Sequence, residues 1–120
     1  MLGSNDLWTT TDPLGREIHF REDIRDDRAA AGKHPGPDAM SDGEVRALIS
    51  SPSRIDQSSK SATRDIYYQY REEYGVPPYR HAIVEFADSR YSPDGVVISW
   101  SKIRKPVSGT TIFIDPRNNP

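Results

Sequence analysis

The feature that most constrains the fold is a series of short runs in the second half of the chain, in which apolar and polar residues alternate. Such alternation predicts half-buried β-strands, because successive side chains of a strand point to opposite faces of the sheet. The runs cover residues 65–70, 79–87, 95–102 and 110–114, and the sequence Ser-Pro-Asp-Gly at 92–95 is a strong turn signal. Short links join antiparallel neighbours, so these runs predict an antiparallel meander of three or four strands.

Two helices are predicted in the first half. Residues 21–33 carry Asp and Glu in their first turns, where the helix dipole favours acidic side chains, and Gly32 lies near their end. A second helix follows a capping box, in which Ser41 and Glu44 exchange side-chain and backbone hydrogen bonds. Its apolar positions share one face, namely Val45, Leu48 and Ile49.

The segments between these elements are polar. Residues 16–20 are predicted to be a short extended segment, residues 53–63 are serine-rich and predict a loop, and residues 1–15 predict a flexible lead-in. The sequence therefore predicts one α+β domain over residues 16–120, with N-terminal helices packed on a three- to four-stranded antiparallel sheet.

The composition excludes several classes of site. The 120 residues include no cysteine, which excludes a disulfide scaffold, a thiolate zinc site and a cysteine nucleophile. The three histidines are far apart in the sequence, which argues against a histidine-only metal site, so no metal or cofactor is expected. No apolar run approaches about 18 residues and no secretory signal is recognisable, so neither a membrane segment nor a signal peptide is expected.

The charge is distributed unevenly along the chain. Residues 1–50 hold 6 Lys/Arg against 10 Asp/Glu, a net charge of −4, and residues 51–120 hold 10 against 8, a net charge of +2. A typical nucleic-acid-binding protein is more basic overall. Any contact with a polyanion is therefore expected to be local.

The order of short motifs resembles a known family of nucleases. The motifs are R-E-I-H-F-R-E-D-I, K-H-P-G, the capped S-D-G-E-V-R-A-L-I, P-S-R-I-D, R-D-I-Y-Y-Q-Y, H-A-I-V-E-F and G-V-V-I-S-W, over about residues 16–105. This series resembles the barnase–EndoU–colicin–RelE superfamily of small RNases, in its phage-encoded and polymorphic-toxin branch. The resemblance implies helices against a four-stranded antiparallel sheet and a metal-independent endoribonuclease, often acting on tRNA.

The resemblance also implies site residues. His34, in the H-P position, corresponds to the family's acid or base, and Arg64 corresponds to its arginine at the start of the first long strand. Ser99 stands where the family has a hydroxyl in a Thr-Ala-Tyr context, although the run here is Ile98-Ser99-Trp100-Ser101.

Cleavage of RNA through the neighbouring 2′-hydroxyl needs a base, an acid and cations that stabilise charge on the phosphorus. Histidine suits both proton transfers because it titrates near neutrality. His34 lies in a Pro/Gly loop directly after Lys33, and His81 shares a strand face with Glu85. The alternatives are an exposed loop histidine for His34 and a half-buried sheet residue for His81, whereas His19 is expected to be structural.

Several further side chains are candidates for binding the substrate: Lys33, Lys60, Tyr67, Tyr68, Lys102, Arg104 and Lys105. The lysines and arginines would hold phosphates, or else serve solubility at a sheet edge. Tyr67 and Tyr68 point to opposite faces, so one is expected in the core and the other is expected to stack a base or bind phosphate.

Two functions of different classes remain open at this point. The first is an RNase toxin with RNA, tRNA included, as substrate and a cognate immunity protein as partner; it would be delivered or secreted and would act in the cytoplasm of a target cell. The second is a non-enzymatic interaction module, such as an immunity or phage structural protein, which the net acidity favours. A nucleotidyl- or ADP-ribosyl-transferring toxin has less support, since no glycine-rich phosphate loop or paired-Glu motif is present.

Overall fold

The structure, a computed structural model, describes residues 6–23 and 40–117. These residues form one seven-stranded mixed sheet with an α-helix on one face. The strands are β1 Asp6–Thr11, β2 Glu17–Arg21, β3 Arg54–Ser58, β4 Arg64–Tyr70, β5 Tyr79–Glu85, β6 Gly95–Ile103 and β7 Gly109–Ile114, and the helix α1 is Asp42–Ser50. Their order across the sheet is β1-β2-β6-β5-β4-β3-β7, and only the β2–β6 pair is parallel.

The predicted fold class is therefore wrong. The sheet has seven strands and is mixed, whereas helices on a three- to four-stranded antiparallel sheet were expected. β1 lies in the expected lead-in, and β3 lies in the expected loop at 53–63. The polarity of β3 was misleading because its polar groups are paired inside the sheet: Asp56 is buried and accepts a hydrogen bond from Thr111 Oγ1 at 2.8 Å.

The antiparallel meander itself is confirmed. β4, β5 and β6 are consecutive neighbours in the sheet, which confirms three strands of it. β7 covers the fourth predicted strand but pairs with β3 at the edge of the sheet, so it does not continue the meander. One detail differs, because a bulge interrupts the β5–β6 register between Ile83 and Val84. It brings Val97 opposite Val84 and Trp100 opposite Ala82, so these two residues share one face of the sheet, although strict alternation along residues 95–102 predicts that Trp100 shares a face with Val96 and Ile98.

The predicted helix α1 is also confirmed. Ser41 Oγ accepts a hydrogen bond from the Glu44 backbone N–H, and Glu44 accepts one from the Ser41 backbone N–H, which completes the capping box. Leu48 and the other two predicted apolar residues are fully buried against Tyr67, Ala82 and Val84 of the sheet. We call this side of the sheet the helix face.

The parallel β2–β6 pair depends on a residue without a side chain. Ile18 of β2 lies opposite Gly95 of β6. A Cβ at Gly95 would lie 2.5 Å from Val84 Cγ1 and 2.9 Å from Ile18 Cδ1, which is closer than carbon atoms can pack. Glycine therefore permits the hairpin β1–β2 to dock against the meander.

Part of the helix prediction over 21–33 lies outside the described residues. Arg21 belongs to β2, and residues 24–33 are beyond the described range. Within residues 6–23 and 40–117, no helix has both the length and the apolar character needed to cross a bilayer.

Candidate functional site

A groove of about 780 Å³ lies on the face of the sheet opposite α1. Ile66, His81 and Ile83 form its floor, since they alternate along β4 and β5 with the residues of the helix face. Its walls are the β3–β4 loop at 58–60 and the segment 103–108 that follows β6. We call it the basic groove; its volume is in the range of sites that bind small ligands.

The rim of the basic groove is cationic. Lys60, Arg104 and Lys105 line it, and none of the described residues lining it is acidic. These three side chains form no ion pair within the described residues, whereas Arg16 and Arg54 are paired with aspartates. The groove thus holds three positive charges that can bind an anionic ligand, although the net charge of the chain is −2.

His81 is the one histidine that the described residues bring to this groove. It is 8% exposed and lies opposite Ser101 of β6. Its Nδ1 is 3.1 Å from the Ser101 carbonyl oxygen and 3.0 Å from Ser101 Oγ. The imidazole also lies nearly parallel to the Tyr68 ring, with an interplanar angle of 22°. Contacts with Ser101 and Tyr68 therefore hold the ring in place.

Tyr68 connects this histidine to the wall of the groove. Its hydroxyl accepts a hydrogen bond of 3.0 Å from the Val107 backbone N–H. Its ring is buried, and burial raises the pKa of Tyr68. The segment 104–108 is thereby attached to the residue on which His81 stacks.

Tyr67 belongs to a separate polar network on the helix face. Its hydroxyl donates to Asp12 and accepts from Arg16 at 3.0 Å, while Arg16 also donates to Asp65 at 2.7 Å. Burial and the hydrogen bond to Asp12 raise the pKa of Tyr67 strongly. Both tyrosines are buried, so the expectation that one of them presents its ring to a base is not met.

This network adjoins a second cavity, of about 310 Å³. The guanidinium of Arg16 lies in its wall, 4.3 Å from the centre of the Phe86 ring. All three of its nitrogens already donate, to Asp12, Asp65 and Tyr67. The network therefore anchors the turn between β1 and β2 to β4. Because each nitrogen of this guanidinium already donates within the protein, the second cavity is a weaker candidate for a binding site than the basic groove.

Besides Tyr67, three sequence-predicted site residues within the described ranges lie away from the basic groove. Arg64 is paired with Glu85 at 3.1 Å, four residues along β4 from Tyr68, which corresponds to about 13 Å. Ser99 lies opposite Ile83 and does not line the groove. Lys102 lies opposite Arg80, in the alternation of the helix face, and helps to lower the pKa of Glu44, whose main cause is the hydrogen bond from the Ser41 backbone.

His19, expected to be structural, is buried in β2 and bridges two carboxylates. Its Nδ1 is 2.8 Å from Asp6 and its Nε2 is 3.0 Å from Asp94. Burial alone lowers the pKa of His19, but the hydrogen bonds with Asp94 and Asp6 outweigh it, so the pKa is raised. This histidine joins β1, β2 and the turn before β6.

His34 and Lys33 lie outside the described residues, so their roles stay predictions. Sequence reasoning missed Ser101 and Val107. The alternation along β6 placed Ser101 on the same face as Ser99, which was the available signal for it. Nothing in the sequence marked Val107, because its contribution is a backbone N–H.

Within residues 6–23 and 40–117, no cluster of three or more His, Asp or Glu side chains is arranged to hold a metal ion. Comparisons of the chain with protein-family models, with curated proteins and with solved structures give no match.

Proposed function

We propose that this domain is an endoribonuclease that binds RNA in the basic groove and uses His81 for proton transfer. The observation that carries the proposal is one imidazole on the floor of a groove whose rim holds three unpaired cations and, among the described residues, no acid. A ribose–phosphate link needs those two kinds of group, an acid–base group and cations for the phosphate oxygens.

The reaction is attack of the 2′-oxygen on the adjacent phosphorus. A base removes the 2′-hydroxyl proton, the new oxygen–phosphorus bond forms, and the bond to the 5′-oxygen breaks as an acid protonates that oxygen. His81 performs one of these transfers, and His34 is proposed for the other. Lys60, Arg104 and Lys105 stabilise the charge that grows on the phosphate oxygens.

Arg64, the cation that the resemblance favoured, has no part in this scheme. It is committed to Glu85 and stands about 13 Å from the level of His81 along the sheet. In this scheme Lys60, Arg104 and Lys105 stabilise the phosphate charge in its place.

The partner follows from the same charge. A cell that makes such a nuclease needs an inhibitor, and an acidic protein that covers the basic groove would be captured fast by electrostatic attraction. We propose a toxin acting on RNA, with tRNA as one candidate, in the cytoplasm of a target cell. Expression of the chain without an inhibitor should stop growth, and expression of the His81→Gln variant should not.

The direct test is cleavage of total tRNA by the purified protein in EDTA. Loss of an acid–base group lowers the rate about 10²- to 10⁴-fold, so His81→Gln is expected to lose activity on that scale. Lys105→Gln should weaken RNA binding and reduce the slope of log affinity against log salt by about 1. Lys102→Gln is the matched control, since it removes the same charge three residues earlier on the helix face.

Two results would reject the proposal: full activity in folded His81→Gln, and no cleavage by the folded wild-type protein. Folded wild-type protein that neither binds nor cleaves RNA would favour the second candidate, a non-enzymatic module that binds a protein partner. The observation in its favour is that His81 is only 8% exposed, as a purely structural histidine would be.

A further inference from the structure

The two hydrogen-bond partners of His81 Nδ1 decide where the proton of the neutral ring resides. One partner is the Ser101 backbone carbonyl oxygen at 3.1 Å, and a carbonyl oxygen can only accept a hydrogen bond. The hydroxyl of the same residue, at 3.0 Å, can accept as well. Both contacts are satisfied when Nδ1 carries the hydrogen, so the lone pair of the neutral imidazole is on Nε2.

We propose that Ser101 is a positioning residue that holds His81 in the Nδ1–H tautomer and makes Nε2 the atom that exchanges protons with RNA. The tautomer follows from the geometry alone, whereas the role of Nε2 rests on the proposed ribonuclease function. Ser101 itself contacts the imidazole and has no need to touch the substrate.

Proton balance is kept in either step. As a base, Nε2 takes the 2′-hydroxyl proton and the ring becomes an imidazolium. The Nδ1–H group continues to donate its hydrogen bond to the Ser101 carbonyl oxygen. As an acid, the protonated ring gives the Nε2 proton to the leaving 5′-oxygen and returns to the same tautomer. The bond from Nδ1 to Ser101 is unchanged throughout, so the ring need not turn.

Tyr68 restricts rotation of the ring in the same arrangement. Its ring lies at 22° to the imidazole, and the Arg54 guanidinium lies over this ring, 5.2 Å from its centre. Its hydroxyl is held by the Val107 N–H. A ring flip of His81, which would exchange Nδ1 and Nε2, would have to break the Ser101 contacts beside a ring that is itself fixed.

Nitrogen-15 NMR of the imidazole tests the tautomer without any substrate. In the full-length protein, at a pH where His81 is neutral, we expect long-range proton–nitrogen correlations with Nδ1 protonated and Nε2 unprotonated, assigned by their loss in His81→Gln. A dominant Nε2–H tautomer would overturn the inference. That result in an enzyme that cleaves RNA would leave the proposed function standing, and the Nδ1–H tautomer in a protein that cleaves nothing would reject only the function and the role of Nε2.

Kinetics of two serine variants test the positioning role. Ser101→Ala keeps the backbone carbonyl but removes the hydroxyl, so we expect kcat to fall about two- to tenfold, the effect of one neutral hydrogen bond, with KM unchanged. The minor tautomer should rise in the NMR spectrum of this variant. Ser99→Ala removes a hydroxyl from the same strand, opposite Ile83 instead of His81, and should change neither quantity. Equal losses of kcat in both variants, or an unaltered kcat in Ser101→Ala, would contradict the proposal.

Discussion

The two faces of the sheet bury side chains for different purposes, and neighbouring residues of β4 show the difference. Tyr67 faces α1, where its hydroxyl lies between Asp12 and Arg16 and each polar partner is engaged inside the protein. Tyr68 faces the basic groove, where it supports His81 and the segment carrying Arg104 and Lys105. Burial alone therefore does not distinguish the core from the site. The distinction lies in whether the nearby charges are paired.

The largest difference between the faces is expected in stability. Leu48→Ala on the helix face empties a fully buried position, so the free energy of unfolding should fall by about 2–5 kcal/mol. Ile83→Ala in the floor of the groove removes a partly exposed side chain and should cost at most about 1.5 kcal/mol. Urea denaturation measures both, and equal losses would show that the groove floor is part of the same core.

The two tyrosines should differ next. Tyr67→Phe removes one buried hydrogen bond from Asp12 and one from Arg16, so the loss should be about 1–3 kcal/mol. Tyr68→Phe leaves only the Val107 N–H without its acceptor, at the wall of the groove, and should cost about 0.5–1.5 kcal/mol. The same denaturation experiment decides the order, and a larger loss for Tyr68→Phe would reverse our interpretation of the two faces.

The sequence predicted elements whose residue pattern is local, and it failed where pairing is distant. The capping box at Ser41 predicted α1 correctly, and alternation placed Ile66 with Tyr68 on one face of β4 and His81 with Ile83 on one face of β5, as the structure has them. β3 was missed because Asp56 finds its partner Thr111 across the sheet, 55 residues away in sequence. Of the basic residues close together at 102–105, Lys102 lies in β6 on the helix face, whereas Arg104 follows the end of the strand at Ile103 and lines the groove, which a count of charges cannot show.

His19 and His81 differ in their contacts: His19 bridges two carboxylates, whereas His81 contacts Ser101 and Tyr68. His19 lies between the carboxylates of Asp6 and Asp94, so its pKa is raised above the usual 6.5 and its stabilising effect belongs to the charged form. That contribution is complete below the pKa of the unfolded chain and is lost as pH rises through the folded pKa. The free energy of unfolding is therefore expected to decrease from about pH 6 upward through that titration.

Urea denaturation across this pH range checks the expectation. His19→Gln should flatten the decrease, and Asp94→Asn should reduce it because one carboxylate remains at Asp6. A wild-type stability that rises over the same range, or a His19→Gln profile identical to that of the wild type, would show that the bridge is not charged.

The central claim is that RNA occupies the basic groove and leaves the helix face free. Hydrogen–deuterium exchange of the full chain with a 2′-deoxy-substituted oligonucleotide, which cannot be cleaved through the 2′-hydroxyl, tests it directly. Our account predicts slower exchange in the segments 58–60 and 103–108 and no change in α1. Exchange that slows only in α1, or that slows in no segment at saturating oligonucleotide, would contradict it.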